Sequence, residues 1–311
     1  MSASTVDGEP AISVVIPAYE SRLRIGPALQ GLQEQDVAEP FEVIVAASGG
    51  DGLAEHLGAA HPKVRVIDSE VRLLPGAARN RGWAAARAPF VAFLADDCVP
   101  EAGWLRLRLA RHRDGFDAVG GAIANGTPRS PVGSAGHYLE YSALLPSPRL
   151  LAEQVVPHAL SYRRSLLEQL GGFPEDIRTG EDTILNKRLL AAGASVGFEP
   201  RAVFAHRNPT RLRDFLAHQH QHGRGLVRVI REHGLKSPIG RLDGPAAGAW
   251  WRGLAVYPAA RWWQALSRVA RGAPGRLPAY VLLSPLIWLG LWATGAGALS
   301  ARRAASPSHA S

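Results

Sequence analysis

Two pairs of adjacent carboxylates, Asp96-Asp97 and Glu181-Asp182, are the residues of this 311-residue chain best suited to chemistry. Neighbouring carboxylates repel unless a cation or a hydrogen-bond network offsets their charge. A divalent ion bridging a diphosphate would do so, because hard cations take oxygen ligands. Asp96-Asp97 follows Phe90-Val91-Ala92-Phe93-Leu94-Ala95, an apolar run that reads as a strand buried on both faces. Residues beyond the carboxyl end of such a strand face the crevice where open α/β sheets bind ligands. Taken alone, the pair reads more simply as an ordinary acidic turn. Glu181-Asp182 follows Thr179-Gly180 and opens a helix expected to run to about Ala192. Acidic residues at a helix start also serve simple capping chemistry.

The elements that must position these residues alternate. Short β-branched runs at Ala11–Pro17, Phe41–Ala46 and Lys63–Ile67 read as strands. Helices are expected over Leu23–Gln35 and from Pro75 to about Ala88. That alternation predicts βαβ units and a parallel sheet, hence an α/β fold. The turn Ser48-Gly49-Gly50-Asp51-Gly52 can approach a ligand closely. Arg79 and Arg81 stand at a helix start, where free N–H groups favour an anion. Further strands are expected at Asp117–Ile123, His158–Arg164 and Phe198–His206, the last ending in a histidine. Residues 125–150, rich in Pro, Gly and Ser, read as a loop region suited to acceptor recognition or a lid. No Gly-x-Gly-x-x-Gly and no Walker lysine loop follows the first strand, which disfavours a nicotinamide or P-loop site.

The charge is unevenly placed. Residues 1–206 hold 20 Lys and Arg against 24 Asp and Glu; residues 207–311 hold 15 against 3. A basic, Trp-rich end suits an anionic membrane surface or a nucleic acid. Long uncharged apolar runs in the same region favour the membrane over the nucleic acid. The single cysteine, Cys98, excludes an internal disulfide and points to a reducing compartment. Residues 1–10 are polar, have no apolar core, and are expected to be disordered rather than a signal peptide.

Five blocks in order give the chain a resemblance to the family 2 glycosyltransferases, inverting enzymes of GT-A fold. They are Ile12–Tyr19, Pro75–Gly82, Phe93–Pro100, Gly172-Phe173 with Gly180-Glu181-Asp182, and His206-Arg207. The resemblance implies a mostly parallel twisted sheet flanked by helices, over residues 11–230. It implies a divalent cation, Mn or Mg, at Asp97, with His206 adding a ligand. Asp96 aligns with the middle position of the family's Asp-x-Asp, and Ala95 replaces its first aspartate. Asp182 aligns with the catalytic base, with Glu181 beside it. Inversion needs one carboxylate to take the acceptor hydroxyl proton while the metal stabilises the departing diphosphate.

By the same resemblance Pro17, Ala18, Tyr19, Glu20 and Ser48 fall around the donor nucleotide, with Gly76, Arg79, Asn80 and Arg224 as further donor contacts. Ala46-Ala47-Ser48-Gly49-Gly50-Asp51 stands where the family often has Asp-Asp-Gly-Ser, so a UDP-sugar is the default donor only. His218 and His222 lie four apart on one helix face, the spacing of a metal pair. With the donor metal already at Asp97, a phosphate- or lipid-facing basic helix is the preferred reading there. The implied acceptor is a glycan or lipid-linked hydroxyl in cell-envelope or exopolysaccharide synthesis. The alternatives are a catalytically impaired nucleotide-sugar-binding protein, suggested by Ala47, Ser48 and Ala95, and a nucleotidyltransferase, which lacks its glycine-rich loop here.

Residues 277–299 contain no charge and, at about 1.5 Å per residue, are long enough to span a bilayer core as one helix. Residues 231–276 are expected to be a basic, interfacial region and 300–311 a tail. Insertion, interfacial binding and a soluble helix pair all remain open for this end. The expected location is the cytoplasmic face of the cell membrane.

Overall fold

A computed structural model describes residues 8–147, 160–233 and 250–305. Residues 1–7 of the expected disordered segment, 306–311 of the expected tail and 234–249 of the expected interfacial region therefore lie outside the described residues, while residues 300–305 end a helix instead of belonging to a tail. The chain divides into two compact units. The first comprises residues 1–126 and 152–206, and the second residues 127–151 and 207–311.

The first unit is built on an eight-stranded sheet. Its strands are β1 (Ile12–Tyr19), β2 (Phe41–Ser48), β3 (Val64–Ile67), β4 (Phe90–Phe93), β5 (Cys98–Pro100), β6 (Ala118–Asn125), β7 (Ser161–Arg163) and β8 (Val196–His206). They lie in the order β3-β2-β1-β4-β7-β6-β8-β5. β3, β2, β1 and β4 are parallel, as are β6 and β8. β7 runs antiparallel to both β4 and β6, and β5 antiparallel to β8. The sheet is thus mixed, with its parallel half where the sequence predicts it. The antiparallel members are three-residue strands, too short to carry a pattern of their own.

β1 and β2 are buried on both faces, as expected for inner strands covered by helices. The one polar intrusion into β1, Ser13, donates to Glu42 at 2.7 Å, which also accepts from the Arg87 backbone at 2.7 Å. The covering helices are α1 (Gly26–Gln33), α2 (Leu53–Ala60), α3 (Pro75–Ala84), α4 (Trp104–Arg113), α6 (Arg164–Leu170) and α7 (Glu181–Ala191). Pro75 opens α3 at the position where a missing N–H costs nothing.

The second unit is helical: α5 (Pro131–Tyr141), α8 (Leu212–His233), α9 (Trp250–Gly272), α10 (Leu277–Leu282) and α11 (Ser284–Ala305). Two expectations are corrected here. Residues 125–150 are not all loop, because Ser130 caps α5 by accepting from Gly133 N at 3.0 Å and Pro131 opens the first turn. Tyr138 and Leu139 of α5 then join the core with Phe215, Tyr280 and Leu291. Nor is 277–299 one helix, because the chain breaks between α10 and α11 and turns by 73°. Pro278 and Pro285 stand at the start of each piece, where proline begins helices readily. Among the described residues no single helix is long and apolar enough to cross a membrane; only the bent pair reaches that length and hydropathy together.

Candidate active site

The loop leaving β1 is shaped by Glu20, which takes a left-handed backbone (φ 48) that side chains seldom adopt. This turn brings Ser21 and Arg24 back toward the tip of β4. Arg24 donates to Asp96 at 2.9 Å and to the Tyr19 carbonyl at 3.0 Å. The Ser21 hydroxyl also pairs with Asp96 and lies 3.1 Å from the Tyr19 carbonyl. Asp96 is therefore fastened to the β1 exit. Burial, and then the adjacent Asp97 charge, still push its pKa above the usual carboxylate value. Neither Ser21 nor Arg24 is singled out by sequence pattern.

Pro17, half-buried, and Ala18, buried, form the end of β1, and Tyr19 lies opposite Ser48 of β2. The Ser48 hydroxyl faces the Ala18 carbonyl at 3.5 Å, a backbone contact. Glu20 is exposed. The Arg72 guanidinium stacks 4.1 Å from the Tyr19 ring centre. In the turn after β2, Asp51 accepts from Arg22 N and Leu53 N, both at 3.1 Å. That carboxylate joins the β1 and β2 exit loops instead of standing free.

Asp97 faces the other way, toward β8. In the antiparallel β5–β8 pair Cys98 lies opposite His206. The His206 Nε2 is 3.7 Å from an Asp97 carboxylate oxygen, and the Cys98 thiol is 3.6 Å from the other. One ligand atom from each of these three residues lies within 4.8 Å of the other two. An oxygen and an imidazole nitrogen suit Mn or Mg, and Mn tolerates the nitrogen better. The Cys98 thiol is buried, and burial followed by the Asp97 charge pushes its pKa well up. It therefore stays protonated as a hydrogen-bond donor. Its place in this cluster depends on the β5–β8 pairing, for which the sequence carries no signal.

The second acidic pair opens α7. Gly180 precedes it with φ 92, a left-handed conformation that only glycine takes without strain. The turn places Glu181 and Asp182 together in the first turn, on the favourable end of the helix dipole. Gly180 at the N-cap position has no side chain with which to cap α7. Arg79 of α3 pairs directly with Glu181. Burial raises the Glu181 pKa, while Arg79 opposes that rise and Asp182 adds to it. Asp182 accepts from Thr183 N at 2.7 Å.

Ring and charge contacts run from the end of β4 to the second pair. Phe93, at the end of β4, packs edge-on to Phe173 at 5.0 Å. Arg79 lies 5.4 Å above the Phe173 ring and reaches Glu181. Tyr162 of β7 donates to Asn186 of α7 at 2.9 Å, and the Asp182 charge helps to raise its phenol pKa, after burial.

Asn80 and Gly76, expected near the donor, hold a neighbouring loop. Asn80 donates to the Phe173 carbonyl and to Glu175, both at 2.8 Å, and accepts from Phe173 N and Trp83 Nε1, both at 2.9 Å. Its hydrogen-bonding capacity is spent on clamping the 172–175 loop to α3. A Cβ on Gly76 would sit 1.9 Å from the Pro174 carbonyl oxygen, so only glycine fits this crossing. Arg224 is exposed on α8, in the second unit.

Residues 13–171 match the profile described as Glycosyl transferase family 2. The chain belongs to that family. Pre-mycofactocin glycosyltransferase of Mycobacterium tuberculosis is 32% identical over 257 residues, covering 77% of this family 2 chain and 52% of that protein. The chain thus spans about half the length of this relative. Glycosyltransferase AglE of Haloferax volcanii is 27% identical, over 71% of this chain and 74% of its own. Among solved structures, the mannosyltransferase PcManGT from Pyrobaculum calidifontis, in complex with GDP-Man and Mn2+, has a TM-score of 0.57 at 21% identity, covering 94% and 88% of the two chains. S. aureus TarS 1–349 in complex with UDP-GlcNAc has a TM-score of 0.55 at 17% identity, covering 94% and 92%. At those identities the likeness is one of fold, the α/β sheet flanked by helices. The family match ends before Glu181 and His206, so what those residues do in this family 2 chain rests on geometry.

Proposed function

We propose that this chain is an inverting, metal-dependent glycosyltransferase that moves a sugar from a nucleoside-diphosphate sugar to a hydroxyl of a glycan or lipid-linked acceptor. The observation carrying the reading is the approach of His206 to Asp97 beyond the tip of β4, beside the separate Arg79–Glu181 pair at the start of α7. Asp97 and His206 would hold a divalent cation, which would supply positive charge for the leaving diphosphate. Asp96, fastened by Ser21 and Arg24, keeps the β1 exit and its nucleotide-facing residues at the same tip.

Asp182 takes the proton of the acceptor hydroxyl, which then attacks the anomeric carbon as the bond to the diphosphate breaks. The first-turn position and the Arg79–Glu181 pair hold Asp182 in register. The GDP-Man and UDP-GlcNAc of the two neighbours support a nucleotide-sugar donor, without choosing its base. The Mn2+ of the first supports a divalent cation. The Asp182→Asn variant tests the reading. Turnover should fall by about 10³-fold, within the usual worth of a general base, while donor affinity stays near wild type. Unchanged turnover would reject Asp182 as the base.

A membrane location at the cytoplasmic face is part of the proposal. Trp263 of α9, Leu282 of α10 and Trp292 of α11 are exposed, at 64%, 80% and 53%. Arg261, Arg268, Arg271 and Arg276 accompany them in the sequence. Exposed tryptophan beside arginine suits an anionic lipid surface.

A further inference from the structure

The His218–His222 pair has a third partner that spacing along the helix does not reveal. α5 and α8 belong to the same unit, and Glu140 of α5 reaches His218 Nε2 at 3.1 Å. The His218 and His222 rings lie side by side, with centres 4.3 Å apart. One ligand atom from each of the three residues falls within 4.8 Å of the other two. We propose that Glu140, His218 and His222 form a second metal site, for a transition-metal dication of the Zn2+ kind. The inference is independent of the donor site, since no residue is shared.

Three features favour a metal over a simple ion pair. First, the donor set is two imidazoles and one carboxylate, which suits Zn2+, Co2+ or Ni2+ better than Mg2+ or Ca2+. Metal–ligand bonds of about 2.0–2.1 Å in a tetrahedral arrangement separate neighbouring ligand atoms by about 3.4 Å. The 3.1 Å between Glu140 and His218 is close to that edge. Secondly, the carboxylate is held by a hydrogen bond from a residue outside the cluster. Gln219, buried in α8, donates to Glu140 at 2.5 Å, and Thr294 of α11 donates to Gln219 at 3.3 Å. Such outer hydrogen bonds fix a ligating carboxylate and are typical of metal sites. Thirdly, Glu140 is 11% exposed and His218 36% exposed at the side chain. The His218 Nε2 atom itself is buried, so protein encloses the ligand atoms on the side of Glu140. The proposal differs from the phosphate- or lipid-facing reading of this segment, since His218 turns to a carboxylate. A metal here would tie α5 to α8.

The test is a Co2+ titration of the full chain carrying Asp97→Asn and His206→Ala, which removes the first site's two ligands. The visible d–d absorption of bound Co2+ reports coordination by protein, and Zn2+ should displace it. One equivalent is expected to bind. Gln219→Leu should weaken binding about tenfold, as loss of an outer-shell partner does. His222→Gln and, separately, Glu140→Gln should weaken it further, while each variant keeps the parent's circular dichroism spectrum without metal. Absence of binding at millimolar Co2+ would overturn the proposal. So would unchanged affinity in a folded His222→Gln or Glu140→Gln protein.

Discussion

Arg79 of α3 pairs with Glu181, the residue immediately before the proposed base Asp182. The two side chains are 18% and 7% exposed, so little water screens them. Breaking such a pair from one side leaves an uncompensated buried charge, at a cost of about 3–5 kcal/mol. Arg79→Ala should lose stability on that scale in urea unfolding. Glu181→Gln added to it should recover much of the loss, because the stranded carboxylate is gone. Independent, additive effects of the two substitutions would contradict the pairing.

Asp96 predicts a stability–pH effect of definite sign. Burial and Asp97 raise its folded pKa above the ordinary 3.8, despite Ser21 and Arg24. The native state then binds the proton more tightly than the unfolded chain does. This residue's contribution is most favourable below the ordinary value and declines as pH rises through the raised one. Asp96→Asn should therefore raise the ligand-free melting temperature at neutral pH and remove that part of the pH dependence, while weakening nucleotide binding. A lower melting temperature at neutral pH than wild type, with the acid limb unchanged, would contradict this.

The exposed aromatics of the helical unit make a lipid prediction. The chain should float with anionic vesicles and much less with neutral ones, since each nearby basic residue contributes about 1 kcal/mol at such a surface. Trp263→Ala with Trp292→Ala should reduce flotation without altering the fold. Equal flotation of the double variant would reject these residues as the contact.

Much of this arrangement is legible in the residues themselves. Ile12–Ile16 and Phe41–Val45 announce inner strands, and the apolar run into Asp96-Asp97 announces the tip that organises the site. The parts that are not legible depend on long-range pairing. Cys98 meets His206 because a three-residue strand pairs antiparallel with β8. Glu140 meets His218 across 77 intervening positions, through helix packing with no local signal. α5 reads as loop because Pro131, Gly133 and Gly136 dominate its start, although Ser130 and Pro131 are good opening residues for a helix. Asn80 sits in a family-like block beside Arg79, and only its four partners reveal a clamp.

Calorimetric titration of UDP and GDP, with and without Mn2+, into wild type, Asp97→Asn and His206→Ala tests the central claim most directly. The account predicts that Mn2+ tightens binding of at least one of the two nucleotides by about tenfold or more in wild type. That gain should be lost in Asp97→Asn and reduced in His206→Ala. Nucleotide affinity that ignores Mn2+, or a full gain in Asp97→Asn, would contradict a metal-held diphosphate at the tip of β4.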